Sequence, residues 1–183
     1  MKSIVYDGWR HVYSINPMFI LIATLGLQTV WIWSKKYKWR TRIISSLVAI
    51  NLLCVSFWMI KNHPFQNTFF NELTLLTTND MPHRFELDYW GLTYKQAEEY
   101  LLQTVPKDAK IKIAVANFPG ELNFIVHTKE DRERFVLYPR DIVGYDYFIS
   151  NFRFEEPPSD LQVVKLFMVD NFPIIGIYKP KRN

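Results

Sequence analysis

Two segments of this sequence combine ionisable and aromatic side chains at spacings that could do chemistry. The first is FELDYWG, residues 85–91, in which Glu86 and Asp88 alternate with apolar and aromatic residues. In an extended chain these two carboxylates would point to the same side, about 7 Å apart. That separation suits acid and base work on a glycosidic bond, but alternating acids can equally form a solvated face. Tyr89 and Trp90 could stack on a sugar or a lipid, or pack the segment against a neighbouring surface.

The second segment is YDGWRH, residues 6–11, which lies directly before a long apolar run. It places Asp7, Arg10 and His11 close to a lipid interface if that run crosses a membrane. The arginine guanidinium matches phosphate in bidentate geometry, so Arg10 and His11 are candidates for contact with a lipid-linked phosphate. Snorkelling of the same side chains towards lipid headgroups is the alternative interpretation.

Two apolar runs follow, at residues 14–34 and 43–60, and neither contains Asp, Glu, Lys or Arg. About 20 apolar residues are needed to cross the hydrocarbon core as a helix. The connector, residues 35–42, carries five Lys and Arg, so the positive-inside rule places it in the cytoplasm. The sequence therefore predicts a multi-pass cell-membrane protein with a transmembrane hairpin in residues 1–62 and its C-terminal part outside the cytoplasm. A soluble protein with a buried helical hairpin is the alternative.

The charge distribution agrees with contact with membrane lipid. Residues 1–60 hold seven Lys and Arg against one acid, which gives +6, whereas the rest of the chain holds 15 bases and 17 acids, which gives −2. Because the positive charge lies between apolar runs, it indicates a membrane surface and no nucleic-acid partner. The one cysteine, Cys54, allows no disulfide within the chain.

The remaining sequence predicts a neck, residues 63–91, and a small α/β domain, residues 92–183. A helix is expected after Thr93, with Gln96 completing a capping box, and it ends before Pro106. A second helix is expected over residues 121–127, followed by a charged turn, KEDRER. Strands are expected at 110–117, in FVLY, and at 145–150, 163–170 and 172–179, the last two as a hairpin. The predicted fold class is an α+β membrane protein, with a two-helix transmembrane hairpin followed by a small α/β extracytoplasmic domain.

Common signatures of catalytic and cofactor sites are missing from the sequence. It contains no GxGxxG, Walker A or GxSxG motif, which excludes a phosphate cradle or a nucleophile elbow of those kinds. The four histidines are not at metal-ligand spacing on one helix, so no metal site is predicted. No cofactor is predicted either.

Several segments together resemble the C-terminal end of one group of membrane enzymes. They are YDGWRHVYSINP, then HPFQNTFFN after the two apolar runs, FELDYWGLTYKQAEEYL, YDYFISNFR and VDNFPIIGIYK. These segments are similar, in this order, to the dolichyl-phosphate-mannose protein mannosyltransferase and aminoarabinose-transferase-like superfamily of GT-C glycosyltransferases. The residues that match its motifs are Tyr6, Asp7, Gly8, Arg10, His11, His63, Pro64, Asn71, Glu86, Asp88, Tyr89, Trp90 and Gly91.

This resemblance implies a C-terminal part of an enzyme that transfers a sugar from a polyprenyl-phosphate donor. It implies Asp7, Arg10 and His11 as contacts of the lipid phosphate or substrate, and Glu86, Asp88, Tyr89 and Trp90 as a neck at the rim of the acceptor cleft. The catalytic acid of the family lies in an early outer loop that has no counterpart here. No catalytic residue is therefore assigned, and the chain is expected to be inactive without a further membrane part. The alternative is a non-catalytic, membrane-anchored module that binds a glycan or a protein.

Overall fold

The computed structural model describes residues 13–71, 74, 76, 81–140, 144–153 and 156–181. It divides the chain into two compact units, residues 1–60 and residues 61–183. The expected neck thus belongs to the same unit as the α/β domain. Asp7, Arg10 and His11 lie outside the described residues.

The first unit consists of α1 (Asn16–Ser34) and most of α2 (Lys38–Lys61). Both helices are long and apolar enough to cross a membrane, and their most apolar windows are not buried within the protein. Helix α2 begins inside the expected connector because the turn between the helices is short. The Ser34 carbonyl accepts from the Thr41 hydroxyl across 3.1 Å, and the Arg40 guanidinium stacks over the Trp33 ring at 4.3 Å.

The second unit is built on a five-stranded mixed sheet. In chain order its elements are a 3-10 turn (Gln66–Thr68), α3 (Met81–Arg84), α4 (Tyr94–Thr104), β1 (Ile111–Val115), α5 (Phe118–Asn123), a 3-10 segment (Phe124–Val126), α6 (Lys129–Arg134), β2 (Phe135–Leu137), β3 (Tyr147–Ser150), β4 (Leu161–Val169) and β5 (Phe172–Pro180). The strand order is β2-β1-β3-β5-β4. Strand β1 is parallel to both β2 and β3, whereas β5 is antiparallel to β3 and β4. The α+β fold class is thereby confirmed.

The core lies between α4 and one face of the sheet. Helix α4 buries Tyr94, Ala97 and Leu101, which pack on apolar residues of β1, β3 and β5. A smaller cluster, Ala114, Phe148, Leu161 and Tyr178, includes the other faces of β1 and β3. This is the packing expected when a helix with one apolar face covers a half-buried sheet.

Three local expectations were wrong. KEDRER is a helix and not a turn, because the Thr128 hydroxyl accepts from the Asp131 N–H and caps its start. The capping box at Thr93 is not formed, because its hydroxyl donates to Asp88 instead. The FELDYWG segment is not extended but a series of turns, so Glu86 is exposed while Asp88 is 1% exposed.

Candidate functional site

The carboxyl ends of β1 and β3 form the place in this fold where a ligand site is most expected. After β1 the chain continues to β2 on one side, and after β3 it continues to β4 and β5 on the other side. In open α/β sheets, ligands bind in the crevice at such a switch point, beyond the carboxyl ends of the strands. Asn117 and Asn151 each follow one of these two strands.

These two asparagines form a hydrogen-bonded bridge. The Asn117 Nδ2 donates to Asn151 Oδ1 at 2.6 Å, and the Asn151 Nδ2 donates to the Asp88 carbonyl at 3.0 Å. The Tyr94 hydroxyl also approaches Asn151 Oδ1, at 3.5 Å. Burial raises the pKa of Tyr94, so this hydroxyl stays a proton donor. Asn151 therefore fastens FELDYWG to the ends of the parallel strands.

The Asp88 carboxylate has a structural role at the beginning of α4. It accepts from the Leu92 N–H at 2.8 Å and the Thr93 N–H at 3.1 Å, and also from the Thr93 hydroxyl. An acid in this position satisfies free N–H groups and favours the positive end of the helix dipole. Asp88 is thus committed to the fold, and it does not face the same side as Glu86.

A groove of about 460 Å³ opens beside this bridge. One wall is formed by Tyr89 and Trp90, and the other by α5 and the 3-10 segment after it. Trp90 is 66% exposed and Phe118 is 64% exposed. The full lining is Tyr89, Trp90, Asn117, Phe118, Pro119, Leu122, Asn123, Val126 and Arg153. It combines exposed aromatic rings with two side-chain amides and one cation.

Arg153 lies at the edge of this groove. Its guanidinium stacks over the Tyr89 ring at 4.1 Å and donates to the Tyr89 carbonyl at 3.3 Å. It also forms an ion pair of 3.4 Å with Glu86, whose side chain is 48% exposed. Phe152 precedes it with a φ of 56°, an unusual backbone conformation for a bulky residue. That left-handed turn separates Arg153, at the groove, from Phe152, which packs on the smaller core cluster.

Gly91 allows the two walls to approach closely. Its φ is +70°, and a Cβ at this position would lie 2.5 Å from the Pro119 Cβ. The Asn123 Nδ2 donates to the Gly91 carbonyl at 2.8 Å and to the Pro119 carbonyl at 2.7 Å. Only glycine fits this contact without moving one wall of the groove.

A buried ionisable pair lies behind the second wall. Glu98 Oε2 and His127 Nε2 are 2.7 Å apart, and their side chains are 0% and 5% exposed. Burial raises the pKa of Glu98 to about 8, and the nearby Glu99 adds to this effect. Burial also lowers the pKa of His127, against the opposite influence of Glu99 and Asp131. Near neutral pH the pair therefore holds one proton between the two facing atoms and carries no net charge.

Among the described residues, no group of three or more His, Cys, Asp or Glu could hold a metal ion. The structure brings together Tyr89 and Trp90 of the expected site and holds Glu86 at its rim through Arg153. Sequence reasoning missed Asn117, Phe118, Asn123, Asn151 and Arg153. The available signal was the position of Asn151 directly after the strand predicted at 145–150. Asn117 was the last residue of the strand predicted at 110–117, whereas in the structure β1 already ends at Val115.

No family model, curated protein or solved structure matches this chain.

Proposed function

We propose that this chain is a membrane-anchored, carbohydrate-binding part of a GT-C glycosyltransferase that uses a polyprenyl-phosphate sugar. The groove beside Asn117 and Asn151 is its glycan site. The observation that carries this proposal is the exposure of Trp90 within a groove that also contains the amides of Asn117 and Asn123. A pyranose has apolar C–H faces and a hydroxyl edge, and aromatic rings beside hydrogen-bonding amides are complementary to both.

The chemistry of Asn117 supports a hydroxyl-bearing ligand. Its Nδ2 is used by Asn151, whereas its Oδ1 is buried and has no hydrogen-bond partner among the described residues. A buried acceptor without a partner is costly. Asn117 lines the groove, so a turn of its side chain towards the groove would expose this oxygen to a ligand hydroxyl and remove that cost.

The contact between two of the segments that resemble glycosyltransferases supports this proposal. Two of the matching segments, FELDYWG and YDYFISNFR, are far apart in sequence, and Asn151 bonds Asp88 across 63 positions. Both segments contribute residues to the groove, namely Tyr89, Trp90 and Arg153.

We further propose that α1 and α2 span the cell membrane, that residues 35–42 are cytoplasmic and that the second unit is extracytoplasmic. The proposed partners are membrane lipid, the lipid-linked sugar and a further membrane part that carries the catalytic acid.

The test is saturation-transfer NMR on the full chain in nanodiscs, with methyl mannoside, methyl glucoside and methyl galactoside as probes. We expect transfer to the ring protons of at least one probe, and its loss in Trp90→Ala. Leu92→Ala is the matched control, because Leu92 is 54% exposed and does not line the groove. No transfer with any probe, or equal transfer in both variants, would contradict the proposal.

A protein-binding module is the second candidate, and one observation favours it. The wall formed by α5 and the 3-10 segment exposes Phe118, Leu122, Ile125 and Val126. Exposed apolar groups of this kind are common at protein interfaces. If this candidate is correct, Ile125→Glu should abolish co-purification of a partner while leaving glycoside binding unchanged, because Ile125 does not line the groove.

A further inference from the structure

The Glu98–His127 pair lies where it can control the second wall of the groove. His127 directly follows the 3-10 segment Phe124–Val126, and its backbone N–H donates to the Phe124 carbonyl at 3.2 Å. Val126, the residue before it, lines the groove together with Leu122 and Asn123. Glu98 lies on α4, which packs on the central sheet. The pair therefore ties the end of this wall to the core.

The wall has a different attachment at its other end. There, Asn123 donates to the carbonyls of Gly91 and Pro119. Neither of those hydrogen bonds involves a titratable group. The attachment at His127 involves two titratable side chains. A change in pH therefore acts on that end of the wall only.

The proton balance of the pair decides how strong that attachment is. With one shared proton, Glu98 Oε2 and Nε2 of His127 form a hydrogen bond with no net charge. Glu98 Oε1 is buried and has no hydrogen-bond partner among the described residues. Losing the shared proton would leave a buried carboxylate with that oxygen unsatisfied, which is strongly unfavourable. Moving His127 away would let water reach the carboxylate and relieve this cost.

Other charged groups act on the pair from two helices. Lys95 and Glu99 lie on α4, and Asp131 lies on α6. Glu99 and Asp131 favour a protonated His127, and Lys95 opposes it. Tyr94, on α4, is also influenced by Glu98. For Glu98 itself, burial and the nearby Glu99 both disfavour a negative charge.

We propose that Glu98 and His127 form a proton-dependent latch. It holds residues 124–127, at the end of the second wall, against α4 and releases them as the pH rises above neutrality. The latch regulates the same groove to which we assign glycan binding, and in that respect it rests on the proposed function. Glu98 and His127 are positioning residues, because neither lines the groove.

The expected pH dependence follows from proton linkage. The pKa of Glu98 is raised from its ordinary value of 4.5 to about 8, so opening becomes easier as the pH rises between these two values. A lowered histidine pKa has the opposite effect below the ordinary value of 6.5. The two effects oppose each other below pH 6.5. Between pH 6.5 and 8 only the carboxyl effect remains, so opening should become about tenfold more favourable per pH unit.

Amide hydrogen exchange of the full chain in nanodiscs, measured by mass spectrometry, tests this proposal. Each rate is divided by the intrinsic rate at the same pH. Peptides covering residues 124–128 should lose protection by about tenfold per unit between pH 6.5 and 8, and no further above pH 8. Peptides from β5 should keep theirs, which separates local release from unfolding of the whole unit.

Glu98→Gln is the decisive variant, since the glutamine amide can donate to Nε2 of His127 but cannot titrate. Its protection at 124–128 should change by less than about twofold over the same range. Glu130→Gln, an exposed acid on α6, is the control and should behave as the unmodified chain does. Constant protection in the unmodified chain would overturn the latch, as would a parallel loss in β5 or an unchanged profile in Glu98→Gln. These results do not depend on any glycan, so they stand whether or not the groove binds one.

Discussion

The side-chain amide of Asn117 donates to that of Asn151 over 2.6 Å and so joins the carboxyl ends of the two parallel strands β1 and β3. The same Asn151 donates to the Asp88 carbonyl. One buried side chain therefore connects both strands to the segment that carries Tyr89 and Trp90. Such a buried connection is expensive to break, because each group that loses its partner stays out of reach of water.

We accordingly expect Asn151→Ala to lower the free energy of unfolding by about 1–3 kcal/mol, since it leaves the Asp88 carbonyl and the Asn117 amide without their partner. Glycoside binding should also weaken. Thermal unfolding followed by near-ultraviolet circular dichroism measures the first effect. Gln162→Ala, at an exposed position of β4, is the control. Equal stability of the two variants would show that the bridge is dispensable.

Replacing Asp88 should lower the stability of the fold more than it weakens ligand binding. In Asp88→Asn, one of the two accepting oxygens becomes a nitrogen that faces N–H donors at the start of α4. We expect a loss of about 1–2 kcal/mol, seen as a lower unfolding temperature than in Asp108→Asn, an exposed acid. If Asp88→Asn unfolds as the unmodified chain does but loses ligand binding, Asp88 contacts the ligand and our structural assignment is incorrect.

Glycoside binding should depend on the planar shape of the Arg153 guanidinium as well as on its charge. Lysine retains the positive charge but cannot reproduce the stack on Tyr89 or the fixed geometry of the bond to its carbonyl. Arg153→Lys should therefore weaken glycoside binding by about 3–10-fold, which corresponds to the usual strength of such a stack. Titration by NMR measures the change, with Arg132→Lys on α6 as the control. Full affinity in Arg153→Lys would mean that charge alone is sufficient.

Gly91→Ala should disturb the groove from the backbone. The new methyl group would lie 2.5 Å from the Pro119 Cβ in a conformation that favours glycine. We expect a lower unfolding temperature and faster amide exchange in residues 118–123, which form the opposite wall. Gly26→Ala is the matched control, because nothing lies within 4 Å of the position that its new methyl group would take. Similar exchange in the two variants would contradict the close approach of the walls.

The orientation in the membrane can be tested with single cysteines. Cys54 is the one cysteine, so Cys54→Ser provides a background without thiols. In that background, Lys36→Cys should react with an impermeant maleimide only after the cells are opened, whereas Asp108→Cys should react in intact cells. The reverse pattern would show that the positive charge of the connector does not set the orientation.

Periodicity and composition predicted the elements of the α/β unit better than its contacts. The strands and α4 follow from alternating β-branched residues and from a helix with one apolar face, since both are local signals. KEDRER was misassigned because a single Thr128 hydroxyl decides whether that charged segment begins a helix.

The site was only partly predictable for a related reason. Tyr89 and Trp90 stood out because aromatic residues beside acids are conspicuous in a sequence. Arg153, Asn117 and Asn151 did not, because their importance arises from the parallel pairing of β1 with β3, which connects distant positions. The burial of Asp88 was equally invisible, since it depends on turns that the alternation of FELDYWG does not encode.

The left-handed backbone at Phe152 has a consequence for how this groove could change over evolution. In this turn the Phe152 ring packs on the smaller core cluster, and the Phe152 N–H donates to the Ser150 hydroxyl at 3.2 Å. The direction of Arg153 therefore depends on a second core cluster that does not line the groove. We expect a substitution at Leu161, a member of that cluster, to act on Arg153 from outside the groove. If the groove binds a glycan as we propose, its selectivity would depend on such residues as well as on the residues that line it.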